Sequence, residues 1–364
     1  MALAPKVAVI YLTYNTAASA VDIPDCLRTL EQVDYPLDRW RVVIVENPSK
    51  HGASHPMIER DWKPKAGKTL PDMSIHLNEC DVGFAGACNV GFEAAKQWGA
   101  DYVYLLNQDA VVDPHFLKTV VAYAEAQPNA AVVQSRIMLK QSPELYNTRG
   151  NAFHYLGFGF SLGYREPFRH GEASDSQPFF YASGAGVLVR VKATETIGLF
   201  EPSYYMYHED VDLSWRARLA GFTIGYAEDS VIYHRYEFSK SIRKFYWMER
   251  NRHLTNLVNY RWRTLCLIAP LAFVMECGTL LFAFRSGWWR EKLKSWGHFL
   301  KPSTWGWIMK RRGKLRTIRR CRDQELLPFM TGQITNQETN SFLMRLVNPI
   351  FARYFSFLKR VVRW

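Results

Sequence analysis

An apolar run that ends in acid constrains most of what this chain can become. In YVYLLNQDAVVDP (102–114) the run of residues 102–106 stops at Asn107, Gln108 and Asp109. A continuous apolar run of that length suits a strand buried on both faces. The polar residues then stand at its carboxyl end, the edge where open α/β sheets bind ligands. Asp109 is there a hard oxygen ligand, of the kind Mg²⁺ or Mn²⁺ takes beside phosphate oxygens. Asn and Asp also favour plain turns, so this stretch alone leaves an ordinary strand-to-loop turn open.

The neighbouring sequence repeats the pattern. VAVIYLTY (7–14), RVVIVE (41–46) and SIHLN (74–78) read as strands. A helix is expected over 24–33 with Pro24 in its first turn, and residues 48–72 read as loop. GFAGACNVGFEAAKQWG (83–99) is a small-residue turn feeding a helix that Gly99 ends, and Pro114 starts another helix. Alternating strand and helix argues for a parallel sheet with covered faces. No G-x-G-x-x-G follows the first strand, so a dinucleotide-binding fold has little support.

Beyond residue 126 the signals change. Residues 132–139 read as strand, whereas 140–182 hold many Gly, Phe and Tyr with little periodicity, a pattern expected of a functional loop region. SGAGVLVR (183–190) is a glycine turn and a strand. YMYHEDVDLSWRARLAGF (205–222) reads as a helix, with Glu209, Asp210 and Asp212 crowding its start. Residues 224–234 read as strand, turn, strand, ending at His234. Acid at a helix N-terminus complements the dipole without any catalysis. Crowded carboxylates also raise one another's pKa and make a base, while the dipole lowers it; sequence does not decide between them.

Charge divides the chain. Residues 1–239 carry a net −7 and residues 240–364 a net +19, and eight of the twelve Trp lie in the second part. Residues 265–284 form a twenty-residue apolar segment broken by Pro270, Glu276 and Gly278. That is near a bilayer-spanning length, but an unpaired Glu in hydrocarbon is costly, so a buried or shallowly inserted segment is expected. The Trp residues 288, 289, 296, 305 and 307 resemble interfacial aromatics, and KRRGKLRTIRRCR (310–322) suits an anionic lipid surface. A nucleic-acid partner fits the charge but not the adjoining apolar segment, and none is expected. Six scattered Cys without a CxxC pair read as free thiols. Residues 7–14 are too short for a signal peptide, so a reducing cytoplasmic setting is expected.

Taken together, LTYN (12–15), VIVENPS (43–49), NECDVGFAGACNVGF (78–92), LLNQDA (105–110), SGAGVLVR (183–190), HEDVDLSWRARLAG (208–221) and YHR (233–235) resemble the family-2 glycosyltransferases of the GT-A fold. Within that family the chain is similar to bacterial rhamnosyltransferase-like enzymes of surface-polysaccharide assembly. The resemblance implies an α/β fold, a Rossmann-like, mostly parallel sheet flanked by helices. It implies a transferase domain over 1–239, with a nucleotide-binding half to about 113 and an acceptor half from 114. Residues 240–364 would then be a basic, mainly helical, membrane-associating extension at the inner face of the cell membrane.

The same resemblance assigns roles. Thr13, Asn15, Glu46 and Asn78 would hold the base and ribose of a dTDP- or UDP-sugar. Gly83 to Asn89 would close over the nucleotide, and Gly184 to Gly186 would lie under the sugar. Asp109 matches the second carboxylate of the family's metal-binding DxD, with Asn107 at the first position. His234 would complete a Mg²⁺ or Mn²⁺ site. Asp210 would be the catalytic base, with Glu209 the alternative. The acceptor would be a glycan or lipid-linked oligosaccharide. A sugar-nucleotide pyrophosphorylase would show a basic, glycine-rich phosphate loop after the first strand, which LTYNTAASA lacks. A non-catalytic adaptor would not need the acid cluster and His234.

Overall fold

The computed structural model describes residues 3–170, 179–236, 242–335 and 342–364. The first half runs β1 (Val7–Tyr14), α1 (Ser19–Leu30), β2 (Trp40–Asn47), α2 (His55–Asp61), β3 (Asp72–Leu77), α3 (Gly83–Gln97) and β4 (Tyr102–Asn107). The second half follows with β5 (Ala110–Val112), α4 (Phe116–Ala126), β6 (Ala130–Leu139), β7 (Ser142–Thr148), β8 (Asn151–Phe153), β9 (Gly159–Ser161), β10 (Gly186–Arg190), α5 (Val191–Ile197), α6 (Glu209–Leu219) and β11 (Thr223–His234). A helical layer closes the chain: α7 (Ile242–Asn259), α8 (Trp262–Arg285), α9 (Trp289–His298), α10 (Pro302–Ile318), α11 (Asp323–Leu326) and α12 (Phe342–Val361).

Nine strands form one sheet in the order β3-β2-β1-β4-β10-β6-β11-β5, with β7 on β6. The four strands from β3 to β4 are parallel; β10 enters antiparallel between β4 and β6, and β6 pairs in parallel with β11. The apolar runs are explained by two cores. Val7, Val9 and Tyr11 of β1 face one hydrophobic cluster, and Ala8 and Ile10 face the other. β2 divides the same way, with Val42 and Ile44 on one side and Val43 and Val45 on the other. A strand covered on both faces needs apolar residues at every position.

Several boundaries differ from the sequence reading. α1 starts at Ser19, and Pro24 lies inside it. The Ser19 hydroxyl accepts from the Thr16 amide at 2.8 Å and starts the turn before proline is reached. The loop over 48–72 contains α2, whose first amides are satisfied by Glu46. β11 is one strand with a bulge between Ala227 and Val231, not two. α8 is a single helix through Pro270 and Gly278.

Glu276 is not unpaired. It meets Arg252 from α7 and, at 2.8 Å, Lys292 from α9, while Trp296 donates to it at 2.9 Å. Glu249 binds the same two cations. Burial pushes the Glu249 carboxyl up, but Arg252 and Lys292 more than offset this and hold it at about 2. Two acids and two bases thus pin α7, α8 and α9 together. The expected boundary at residues 239/240 lies outside the described residues, but the chain on either side shares a hydrophobic cluster in which Trp215 packs with Tyr260, Met275 and Leu358.

Breaking such a buried network strands a charge. Glu276→Ala is expected to cost about 3–5 kcal/mol in denaturant unfolding. Glu291→Ala, which removes a 3.8 Å surface pair with Lys294, should cost within about 1 kcal/mol.

Candidate active site

Register brings the first two groups together. β5 pairs with β11 so that Ala110 faces His234, which sets Asp109 beside the imidazole. Asp109 Oδ1 lies 3.2 Å from His234 Nε2, and Asn107 Nδ2 lies 3.3 Å from the same nitrogen. The other ring nitrogen, Nδ1, is 3.0 Å from Asn147 Oδ1. A carbonyl oxygen only accepts, so this bond places the proton on Nδ1 and turns the Nε2 lone pair toward Asp109. An imidazole nitrogen and a carboxylate oxygen at this separation can share one cation. Burial pushes the Asp109 carboxyl up, but with a proton on Nε2 as well the charge and hydrogen bond of His234 outweigh it and hold the carboxyl below the ordinary range; a cation would take the place of that proton. One carboxylate, one imidazole and one amide fit a divalent ion that takes its remaining ligands from diphosphate and water. A second group, Glu249, His253 and Glu276, has ligand-type side chains within 4.8 Å of one another. Its carboxylates already belong to Arg252 and Lys292, so it is a structural hub.

The second pair of groups sits at the start of α6. Tyr205, Tyr207 and His208 all have positive φ, between 64° and 68°, a costly run for side-chain-bearing residues. The helical layer holds them there. Asn251 Nδ2 lies 2.8 Å from the carbonyls of Tyr204, Met206 and Tyr207, and Arg250 donates to Ser203 and Tyr204. Gly83 makes room: its φ is +71°, and a Cβ there would lie 2.4 Å from the Tyr205 carbonyl oxygen. The result presents Asp210 into a cleft of about 470 Å³ that Asn107, Asp109, His234, Gly184 and Glu209 also line.

Asp210 accepts the Val211 amide at 2.8 Å and the Gly184 amide at 3.2 Å. Burial pushes its carboxyl up to about 6 against these amides. Glu209 is raised well above its ordinary value by burial and by Asp210, and its Oε2 has no hydrogen-bond partner. Asp212, the third acid, has another job. It is buried and bound by Arg216 at 2.7 Å, Asn259 at 3.2 Å and Arg311 at 3.6 Å.

The expected donor residues divide. Thr13 and Glu46 are register partners at the carboxyl ends of β1 and β2, and the buried Thr13 hydroxyl has no partner. Asn78 donates to Asn47 at 2.8 Å, and Asn47 donates to the Gly83 carbonyl at 3.2 Å, linking the strand ends to α3. Asn15 donates to the His51 carbonyl at 2.9 Å. Glu46 spends its oxygens on the Ser54 and His55 amides, at 2.5 and 2.8 Å, and on the His55 ring at 3.0 Å. Asn89 lies away from the cleft: its amide makes a pair of bonds with the Phe200 backbone, at 2.8 and 3.1 Å. Gly186 is a packing glycine, where a Cβ would lie 2.1 Å from Ile232 Cδ1. Gly184 does face the cleft, against the Phe84 ring. Sequence reasoning missed Asn147 and Asn251. The available signal for Asn251 was α7 itself, a polar helix without an apolar stripe that nevertheless has to be buried.

The mixed sheet, with a carboxylate and a histidine at one strand edge and an acid pair opposite, defines a GT-A transferase architecture. The family described as Glycosyltransferase like family 2 matches residues 4–256, and the chain belongs to it. The glucomannan 4-beta-mannosyltransferase 2 of Arabidopsis thaliana is 25% identical over 198 residues, 54% of this chain and 35% of its own length. The N-acetylglucosaminyl-diphospho-decaprenol L-rhamnosyltransferase of Mycobacterium tuberculosis is 24% identical over 212 residues, 53% of this chain and 66% of its own. The chain thus spans about a third and just under two thirds of these relatives. In fold it is similar to the mannosyltransferase PcManGT from Pyrobaculum calidifontis, solved with GDP-Man and Mn²⁺. That match has a TM-score of 0.51 and 16% identity, covering 87% of this chain and 86% of that one.

A carboxyl whose folded pKa is raised to about 6 from 3.8 holds its proton in the folded state at pH values where the unfolded chain has lost it. Stability is then intact below the unfolded value and falls as pH rises toward the folded one. Asp210→Asn is therefore expected to melt above the wild type at pH 8, with the gain disappearing by about pH 4, as read by calorimetry.

Proposed function

We propose that this chain is an inverting, metal-assisted glycosyltransferase. It moves a sugar from a dTDP- or UDP-linked donor to a hydroxyl of a lipid-linked glycan in bacterial surface-polysaccharide assembly. The observation that carries the reading is Asp210: a carboxyl raised to about 6, fixed by two backbone amides, in one cleft with the Asp109–His234 pair. An acceptor hydroxyl has a pKa far above 7 and must lose its proton as it attacks. Asp210 takes that proton, because each of its oxygens keeps a free lone pair beyond the amide it accepts. Such a base contributes about 10²–10⁴-fold. Asp109, His234 and Asn107 would hold Mg²⁺ or Mn²⁺, which when bound would supply Lewis-acid neutralisation of the leaving diphosphate. One base and no protein nucleophile make a single displacement, with inversion at the anomeric carbon. The mycobacterial relative is named for a lipid diphosphate acceptor and a rhamnosyl group, which supports that acceptor class and a rhamnosyl-type donor here.

The same reading places α8 on the membrane. By length and composition α8 is able to cross a bilayer, and only 11% of its most apolar window is buried. Yet Thr264, Ile268, Met275 and Ala283 are buried along its whole inner face, and Glu276 is tied to α7 and α9. A helix docked end to end on a charged layer lies along the surface instead of spanning. Its outer face carries Phe273, Val274, Leu281 and Phe284, all more than half exposed. It lies in the plane of the interface, as amphipathic anchors do.

Asp210→Asn is expected to lower turnover at least about 10²-fold while calorimetry with UDP- and dTDP-sugars still shows donor binding. A loss of donor affinity as large as the loss of turnover would move Asp210 into the donor site. Asp109→Ala should abolish the metal stimulation; wild-type activity at saturating Mn²⁺ would remove it from the metal site. For the membrane, Phe273→Glu with Leu281→Glu is expected to abolish flotation with phosphatidylcholine vesicles and leave donor hydrolysis intact. Unchanged flotation would exclude α8 as the anchor.

A further inference from the structure

We infer that the cleft between α8 and α10 is a binding site for a phosphate or diphosphate group. Five arginines line it: Arg261, Arg263, Arg312, Arg316 and Arg319. Its volume is about 560 Å³, within the range of small-molecule sites, and no Asp or Glu is among its lining residues. Arg312 and Arg316 come from one face of α10 at helical spacing, Arg319 is the extended residue that follows the helix, and Arg261 and Arg263 flank the first residue of α8.

Two of these side chains are ordered by aromatic faces. The Arg312 guanidinium stands 4.0 Å from the Trp262 ring centroid, and that of Arg263 stands 5.7 Å from Trp364. Arg312 also donates to the carbonyls of Leu257, Val258 and Tyr260, and Arg319 to Asp323 at 2.7 Å. Among the described residues, the guanidinium groups of Arg261, Arg263 and Arg316 have no hydrogen-bond or ion-pair partner, and of the three only Arg263 has a ring contact, with Trp364. Asp323 is the counter-charge nearby, and it is already shared by Arg319, the Arg261 amide at 2.9 Å and the Thr264 hydroxyl at 2.6 Å. The positive charge is therefore in large excess. Burial, and then Arg319 and Arg316, push the Arg312 guanidinium down to about 10.

Like charges gathered in one cleft repel, and a polyvalent anion relieves that repulsion. Several planar forks converging from two helices match the oxygens of phosphate better than those of a single carboxylate. The site is distinct from the transfer cleft. Met248 lines the transfer cleft and Val258 lines this one, and ten residues of α7 separate them by about 15 Å. Because Trp262 is both the wall of this cleft and the first residue of α8, the phosphate carrier is either a soluble compound or a lipid headgroup whose chain follows the apolar face of α8.

The test titrates full-length protein with inorganic pyrophosphate, without divalent metal, by calorimetry and by thermal shift. Flotation with phosphatidylcholine vesicles, with and without phosphatidic acid, forms the second arm. Arg261→Ala with Arg316→Ala removes two of the unpartnered side chains, both exposed. Lys310→Ala with Lys314→Ala removes the same charge from exposed positions of α10 outside the cleft. Wild type and the lysine variant are expected to bind pyrophosphate and to melt higher in its presence. The arginine variant should bind at least about tenfold more weakly, with its own melting temperature and donor hydrolysis preserved. Arginine-dependent flotation only with phosphatidic acid assigns the site to a lipid headgroup, and arginine-dependent pyrophosphate binding alone assigns it to a soluble phosphate. Equal losses in the two variants, or no arginine dependence in either arm, overturn the proposal.

Discussion

A carboxylate taken out of water must be met by positive charge or by amides, or it keeps its proton. How this chain meets each buried acid separates its scaffold from its chemistry. Asp212 is met by Arg216 and Arg311, which outweigh its burial and hold it below the ordinary range. Glu249 is met by Arg252 and Lys292. Asp323 is met by Arg319, and Glu46 by the amides that open α2. Among the described residues, no cation pairs with Glu209 or Asp210. Buried acids left without a cation cost stability, and a fold keeps them where a proton has to be moved.

This distinction explains what was legible beforehand. The strands were legible because two cores make the central residues of β1, β2 and β4 apolar, and the polar residues at their carboxyl ends then mark the edge of the sheet. His234 and Asp109 could be paired through motif order, although their contact depends on the β5–β11 register, which no local signal carries. Asp212 could not be separated from Asp210 in HEDVD, because its cations come from one turn along the helix and from residue 311. Asn89 and Gly186 sit inside the motifs yet serve packing: one bonds the Phe200 backbone and the other clears Ile232. Pro24 misled about the start of α1, since the preceding Thr16–Ser19 turn had already begun the helix.

The basic second part was legible as charge but not as geometry. In sequence, residues 310–322 read as a uniform lipid-facing run. In the fold, Arg311 reaches Glu201 and Asp212, Arg312 caps the carbonyls at the end of α7, and Arg319 binds Asp323. Much of the run is therefore spent on joining the helical layer to the transferase sheet. That joint has a purpose for the site. Asn251 and Arg250 of α7 grip the loop whose three positive-φ residues aim Asp210, so the helical layer also fixes the proposed base. Strain of this kind persists only where neighbours over-determine it.

The acid pair itself has a direction. Two adjacent carboxyls in one buried cleft do not both ionise easily, so the pair holds a proton above the ordinary carboxylate range. The surroundings decide which member holds it. Asp210 accepts two backbone amides, and such bonds favour its charged form. Glu209 is buried, its Oε2 accepts no hydrogen bond, and the charge of Asp210 beside it raises it further. The shared proton therefore favours Glu209, whose carboxyl is raised by burial and by Asp210, and Asp210 ionises first, at about pH 6. A neutral neighbour spares the proposed base a second negative charge. It leaves Asp210 basic enough to take a hydroxyl proton and ionised enough to be ready for it, which neither residue achieves alone.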